Sequence, residues 1–305
     1  MSLWQAFTTK PSELGESPFW HPAEGRLYWV DIPARKLLRA DAATGGVESW
    51  AMPSEPGCIA PATSGGLVLA LRDGMYRAPM WRADLRLLHR FAHDPATTRF
   101  NDGKADPLGR FWAGTIFEPR TAAAAELFAL DCRDGRPALV RRMAGGATVA
   151  NGLAWSPDGK TVYWSDTPEH VIRAWDWDAN RNVMDNERVF QQFPRKPADW
   201  RSGMAGYGGR PDGAAVDALG NYYVAMFEGK RLLKFAPEGQ LLAEMATPVQ
   251  CPTMPCFGGD DLRTLYITTA RENRPAHELA QMPQSGCVFS TRVDVPGLPV
   301  NFFRD

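Results

Sequence analysis

Short apolar runs bounded by Gly, Pro, Asn and Asp recur from one end of the chain to the other, and the segment Val149 to Asp166, VANGLAWSPDGKTVYWSD, shows the pattern most clearly. Two apolar runs flank the turn Ser156-Pro-Asp-Gly-Lys160, which predicts two antiparallel strands joined by a tight connection. The same layout returns in Glu16-SPFWHPAEGRLYWVD, Asn101-DGKADPLGRFWAGT and Asp212-GAAVDALGNYYVAM. Gly109, Gly159 and Gly220 stand eight residues after their leading residues, and Gly25 nine after Glu16, each followed by an aromatic-rich strand. Weaker copies begin at Cys58-IAPATSGGLVLAL and around Pro255-CFGGDDLRTLYITT. Six units with leading positions 16, 58, 101, 151, 212 and about 255 have the period of a four-stranded propeller blade. The interval of 61 residues from 151 to 212 is too long for one blade and predicts an insertion within RKPADWRSGMAGYGG. Further strands follow in the units, such as KLLRADAAT then GVESWAM, and VIRAWDWDA then ERVFQQF. The architecture expected is all-β, a single six-bladed β-propeller over residues 1–305 with a metal site in its central channel. Leu3 to Thr8 is expected to pair with the last blade near Cys287 to Val293, because closure removes exposed sheet edges.

Composition agrees with short strands and turns. Gly (28) and Pro (25) are abundant, and the one alanine-rich run, TAAAAE at 121–126, is too short for a convincing helix. A formal net charge of -1, without a Lys/Arg block, gives no electrostatic footprint for nucleic acid, and no apolar run reaches the length of a membrane span. Partners are expected to be small molecules, with neither nucleic acid nor membrane among them; the oligomeric state is not readable. Five cysteines, an odd number without a second close pair beside Cys251 and Cys256, suggest reduced thiols. With no signal peptide recognised, they suggest a cytoplasmic protein.

Asn151 raises the chemical question, since an amide opening an apolar strand is costly unless it is bonded to something. In a propeller the first strand of each blade lines the central channel, so Glu16, Asn101, Asn151 and Asp212 should converge near one mouth. All four carry oxygen donors, and carboxylate with amide oxygen is the ligand chemistry of a hard divalent cation. Asx-Gly pairs are also ordinary turn formers. A turn role gives no reason, however, for Glu in one blade, Asn in two, Asp in a fourth and nothing comparable in the remaining two.

These stretches, GESPFWHPAEGRLYWVDI, RFNDGKADPLGRFWAGT, ANGLAWSPDGKTVYWSD, PDGAAVD, PCFGGDDLRTLYITTAR and GLPVNFF, resemble the senescence-marker-protein/gluconolactonase/luciferin-regenerating family from about residue 14 to the C-terminus. The resemblance implies a six-bladed propeller with one catalytic divalent cation and hydrolysis of sugar lactones. Carried over by motif, the metal ligands are Glu16, Asn151 and Asp212. Arg99 and Asn101 fall where the family contacts substrate, and in some relatives the second asparagine also approaches the metal. Glu118 is the candidate for a family acidic residue just past the Gly-Thr of the third blade. Ca²⁺ is the first expectation for the cation, with Zn²⁺, Mn²⁺, Mg²⁺ and Fe²⁺ also compatible with such ligands. Asp212 is the expected general base and Arg99 a planar hydrogen-bond donor to substrate oxygens. No Gly-x-Ser-x-Gly elbow is present, which disfavours serine catalysis, and the five histidines are too scattered for a zinc cluster, His21 near Glu16 being the one to check. Ca²⁺ binding without catalysis, a scaffolding role, and phosphotriester hydrolysis are the alternatives to lactone hydrolysis.

Overall fold

The structure, a computed structural model, describes residues 4–135 and 137–305. It contains six four-stranded antiparallel sheets arranged as the blades of a propeller. The inner strands are Gly15–His21, Pro56–Pro61, Thr98–Ala105, Ala150–Trp155, Arg210–Val216 and Pro252–Gly258. They contain or closely precede the six leading positions expected from the repeat. Each inner strand is almost wholly buried, while the fourth strands, such as Val47–Ala51 and Leu241–Ala246, alternate with exposed positions.

Apolar side chains fill the spaces between neighbouring blades rather than one common centre, giving six clusters, one for each pair of adjacent blades. The cluster between the third and fourth blades is the most aromatic: Trp112 meets Trp155 and Trp177 edge-on at centroid separations of 5.4 and 5.8 Å. Asp106, wholly buried on the turn after Thr98–Ala105, accepts from the Trp112 indole (2.9 Å) and from the Arg110 guanidinium (3.0 Å). That pairing offsets the cost of a buried carboxylate.

The ring closes through the N-terminal segment. The short strand Gln5–Ala6 pairs antiparallel with Phe289–Arg292 and so supplies the outermost strand of the last blade. The pairing is extended by Phe7 N–H donating to the Val288 carbonyl (2.8 Å) and Val288 N–H donating to Thr8 Oγ1 (3.0 Å). Leu3, the first residue of the expected closing segment, lies outside the described residues. The C-terminal tail crosses the face opposite the leading residues: Leu298 N–H donates to the Val216 carbonyl, Phe303 N–H to that of Pro61 and Arg304 N–H to that of Gly109. Phe303 is wholly buried in the cluster between the second and third blades.

Residues 193–209 form the expected insertion without regular strands. A six-residue helix, Ala276–Gln281, interrupts the last blade between its second strand, Thr264–Thr269, and Phe289–Arg292. Its buried Glu278 receives two hydrogen bonds from Arg274 (2.9 and 2.6 Å), which fixes the helix against the propeller.

Candidate functional site

Every inner strand loses register with its neighbour near the same place. The slips fall at Glu16/Phe19, Pro56/Cys58, Phe100/Gly103, Asn151/Ala154, Pro211/Ala214 and Pro252/Pro255. A bulge leaves residues unpaired and turns side chains away from the ordinary alternation of a strand. Glu16, Asn101, Asn151 and Asp212 all sit at these bulges, and all four line one cavity of about 290 Å³ at the start of the inner strands. The glycines after two of them answer the turn reading. A Cβ on Gly152 would lie 2.3 Å from Ser165 Oγ, and one on Gly213 would lie 2.4 Å from the Met254 side chain. The Asx-Gly pairs therefore belong to a crowded channel wall and not to solvent turns.

The two carboxylates are buried, with Glu16 7% and Asp212 5% exposed, and among the described residues neither forms an ion pair. Burial, then the charge of Asp212, then that of Asp102, hold the Glu16 carboxyl well above the usual range. Asp212 is likewise raised, first by burial, against the lowering effect of Arg210 and with a further upward push from Asp102. Such a cluster is one whose charged form is stabilised by a bound cation.

The amides are tied in a directed network. Asn151 donates through Nδ2 to Thr167 Oγ1 (2.8 Å), and that hydroxyl donates to the Pro211 carbonyl (2.7 Å). Asn151 Oδ1 accepts from Asn101 Nδ2 (3.0 Å), and Asn101 Oδ1 accepts from Arg99 Nη1 (2.9 Å). Asn101 thus presents nitrogen to the cluster and spends its oxygen on Arg99. Arg99 is held on its other side by Glu118, Nε to Oε1 at 3.2 Å, and Glu118 also accepts from Arg72 (2.8 Å). Arg99 lines the cavity, whereas Glu118 does not and reaches it through Arg99.

Asp102, which the sequence reading did not single out, is 5% exposed and its charge acts on both Glu16 and Asp212. Its Oδ2 accepts from Leu153 N–H (2.8 Å), and its Oδ1 is buried without a hydrogen-bond partner. Lys104, whose pKa burial pulls down while Asp102 opposes the shift, donates to the Ala214 carbonyl farther along the channel. The sequence reading also missed Arg120, Arg210, Glu272 and Arg274, which line the cavity from turns and strand ends where no repeat marks them. His21 lies at the far end of the strand Gly15–His21, against Phe302 and within reach of Glu24, so it has no place in the site. A second cavity of about 280 Å³ opens at the other end of the inner strands, lined mainly by apolar groups such as Phe19, Trp155 and Phe257. Its lining holds no carboxylate and a single side-chain amide, Asn301, where the first cavity concentrates both groups.

Among the described residues no group of three His, Cys, Asp or Glu side chains is disposed to hold a metal. The donor set at the first cavity is mixed: two carboxylates without ion pairs among the described residues, and the Asn151 amide, whose nitrogen is anchored on Thr167 and whose oxygen accepts from Asn101. That set fits a hard divalent cation, which accepts carboxylate and amide oxygen alike. The five cysteines are buried free thiols, and no described helix is long and apolar enough to cross a membrane.

A six-bladed propeller with oxygen-donor side chains gathered at one channel mouth defines the structural class. The model of the SMP-30/Gluconolactonase/LRE-like region matches residues 14–271, and the chain belongs to that family. It is 45% identical over 291 residues to 6-deoxy-6-sulfogluconolactonase of Pseudomonas putida, covering 94% of each chain. It is 33% identical to regucalcin of Gallus gallus, covering 94% of this chain and 93% of that one. Among solved structures, the calcium-binding protein regucalcin from Agrobacterium tumefaciens superposes with a TM-score of 0.87 at 25% identity, covering 98% and 97% of the two chains. A luciferin-regenerating enzyme superposes with a TM-score of 0.84 at 25% identity, covering 97% of each.

Proposed function

We propose that the protein hydrolyses sugar lactones to the corresponding aldonic acids with the help of one divalent cation, Ca²⁺ in the first instance, held by Glu16, Asn151 and Asp212. The observation that carries this reading is the pair of buried carboxylates, raised in pKa and without ion pairs, facing an anchored amide in a cavity that also presents Arg99. The lactonase name of the relative at 45% identity supports the substrate class, and the calcium-binding description of the Agrobacterium structure supports the cation.

When bound, a divalent cation supplies Lewis-acid polarisation of the lactone carbonyl. The chain's own residues do the rest. Arg99, fixed between Asn101 and Glu118, offers a planar pair of N–H donors to ring or hydroxyl oxygens and sets the lactone's orientation. Asp212 accepts the proton of the attacking water at its carboxylate as the water oxygen bonds to the lactone carbon. The ring C–O bond then breaks, and the departing ring oxygen takes up a proton to become the hydroxyl of the acid. Asn101 and Glu118 act on the site through Arg99. The cavity walls Leu14, Ile116, Val149 and Phe227 limit bulk water.

The test is acid release from D-glucono-δ-lactone by purified protein stripped of metal and then reloaded. Turnover above the spontaneous rate that appears with added cation supports the reading. Cation binding without turnover would leave a binding protein, and turnover of a phosphotriester in place of the lactone would favour the alternative hydrolase.

A further inference from the structure

The cavity holds more positive charge than its proposed chemistry uses. Arg99, Arg120, Arg210 and Arg274 line it against Glu16, Asp212 and Glu272. A divalent cation on Glu16 and Asp212 would satisfy two of those carboxylates and leave Glu272 facing four guanidiniums. Two of the four are committed: Arg99 to Glu118, and Arg274 to Glu278 and Glu228. Arg210 approaches Glu228 only at 3.4 Å, and that carboxylate already receives two hydrogen bonds from Lys196 (both 2.9 Å) and one from Arg274 (2.8 Å). Arg120 forms no ion pair among the described residues. It sits at the exposed rim, in the turn after the strand Phe111–Phe117, where its N–H donates to the Phe117 carbonyl (2.9 Å). Burial and the neighbouring Arg210 charge pull the Arg120 pKa down while Asp212, Glu118 and Glu272 oppose them, and a cation on Asp212 would take up the counter-charge that Arg120 and Arg210 share there.

A neutral sugar lactone asks for hydrogen-bond donors but gives nothing to relieve that repulsion. An anionic oxygen group does both, because guanidinium forks match its oxygens in charge-assisted pairs. We propose that Arg120, with Arg210, forms an anion subsite, and that the substrate is an aldonolactone carrying a sulfonate or phosphate on a carbon away from the lactone carbonyl. This rests on the lactonase reading above. The carbonyl must face the Glu16, Asn151 and Asp212 cluster for hydrolysis, so the charged substituent extends toward the rim, where Arg120 stands.

Rates are compared for D-glucono-δ-lactone, its 6-phosphate and its 6-deoxy-6-sulfonate, with wild type and Arg120→Gln. Binding of glucitol and of glucitol 6-phosphate, which have no lactone, is measured by calorimetry on the same proteins. The inference expects kcat/KM for one or both anionic lactones to exceed that for the neutral one by about tenfold or more. R120Q should then lose about tenfold to a hundredfold on the anionic lactones and less than about twofold on the neutral one. Preference for the phosphate or for the sulfonate identifies which anion the subsite takes. Equal rates on charged and neutral lactones overturn the inference, as does an equal loss on all three in R120Q, which would mean that Arg120 serves the reaction centre. If no lactone is hydrolysed, the lactonase reading fails by itself. The anion subsite then stands if glucitol 6-phosphate binds in an Arg120-dependent way, and falls if it binds no better than glucitol.

Discussion

Asp212 and Glu228 show how differently two buried carboxylates behave. Asp212 has no ion pair among the described residues and a raised pKa, whereas Glu228, 4% exposed, is held below its ordinary range. Burial pushes Glu228 upward, but Arg210, Arg274 and Lys196 outweigh it. Its folded-state pKa is therefore lower than that of the unfolded chain, so the stability it contributes is present above about pH 4.5 and is lost as pH falls through the folded value. Glu228→Gln should cost roughly 3 kcal/mol at neutral pH, because three cations lose their shared counter-charge. Urea melts at pH 7 and pH 4 check this: the gap between wild type and variant should narrow at the lower pH. For Asp212→Asn the expected loss is in rate. The amide keeps one ligating oxygen, so added metal can refill the site, but it cannot accept a proton. Removing a general base costs on the order of 10² to 10⁴ in rate. Lactone hydrolysis titrated with metal should stay low in this variant at saturation, and full recovery would show Asp212 to be a ligand only.

At the scale of elements, the inner strands were legible because four of the six repeat one pattern, a leading polar residue, an apolar run and a turn glycine, and the units at Cys58 and Pro255 are weaker copies of it. The residues at the bulges could thus be grouped before their geometry was known. Asp102 and Arg120 were not legible, for physical reasons. Asp102 is adjacent to Asn101 in a sequence that also makes turns, and only the register slip turns it into the channel. Arg120 closes a turn that recurs after the second strand of other blades, but there the equivalent residues are Arg35 and His170, so the repeat carries no common chemistry at that position. The helix Ala276–Gln281 escaped notice because six residues are too few to show a helical period, and its stability comes from Arg274 clasping Glu278. The N-terminal strand was anticipated from the need to close the ring. Trp4 is 5% exposed and belongs to the cluster between the fifth and sixth blades. Removing residues 1–9 should therefore lower the thermal midpoint markedly, since losing a buried tryptophan alone costs about 3–5 kcal/mol and the last blade loses its outer strand. Scanning calorimetry of the truncated chain is the measurement, and an unchanged midpoint would show that the ring does not need this closure.

For the whole molecule, six sheets that touch mainly their neighbours make a ring whose stability is distributed over its interfaces. The proposed ligands come from the first, fourth and fifth blades, so a cation held by all three links parts of the ring that no single apolar cluster spans. A ligand that binds only the folded state stabilises it by about 2.7 kcal/mol at a hundred times its Kd. Chelation should then lower the thermal midpoint and abolish lactone hydrolysis together, and restoring Ca²⁺ should recover both over one concentration range. The unfolding should remain a single transition with and without metal if the six blades unfold together, and calorimetry checks this. Glu16→Gln separates site binding from nonspecific salt effects: it removes one of two carboxylates at the mouth, so the midpoint should respond to Ca²⁺ only at much higher concentration. A midpoint that ignores chelator in the wild type, with hydrolysis intact, would remove the cation from the site and leave Asp212, Arg99 and the amide network to account for the activity alone.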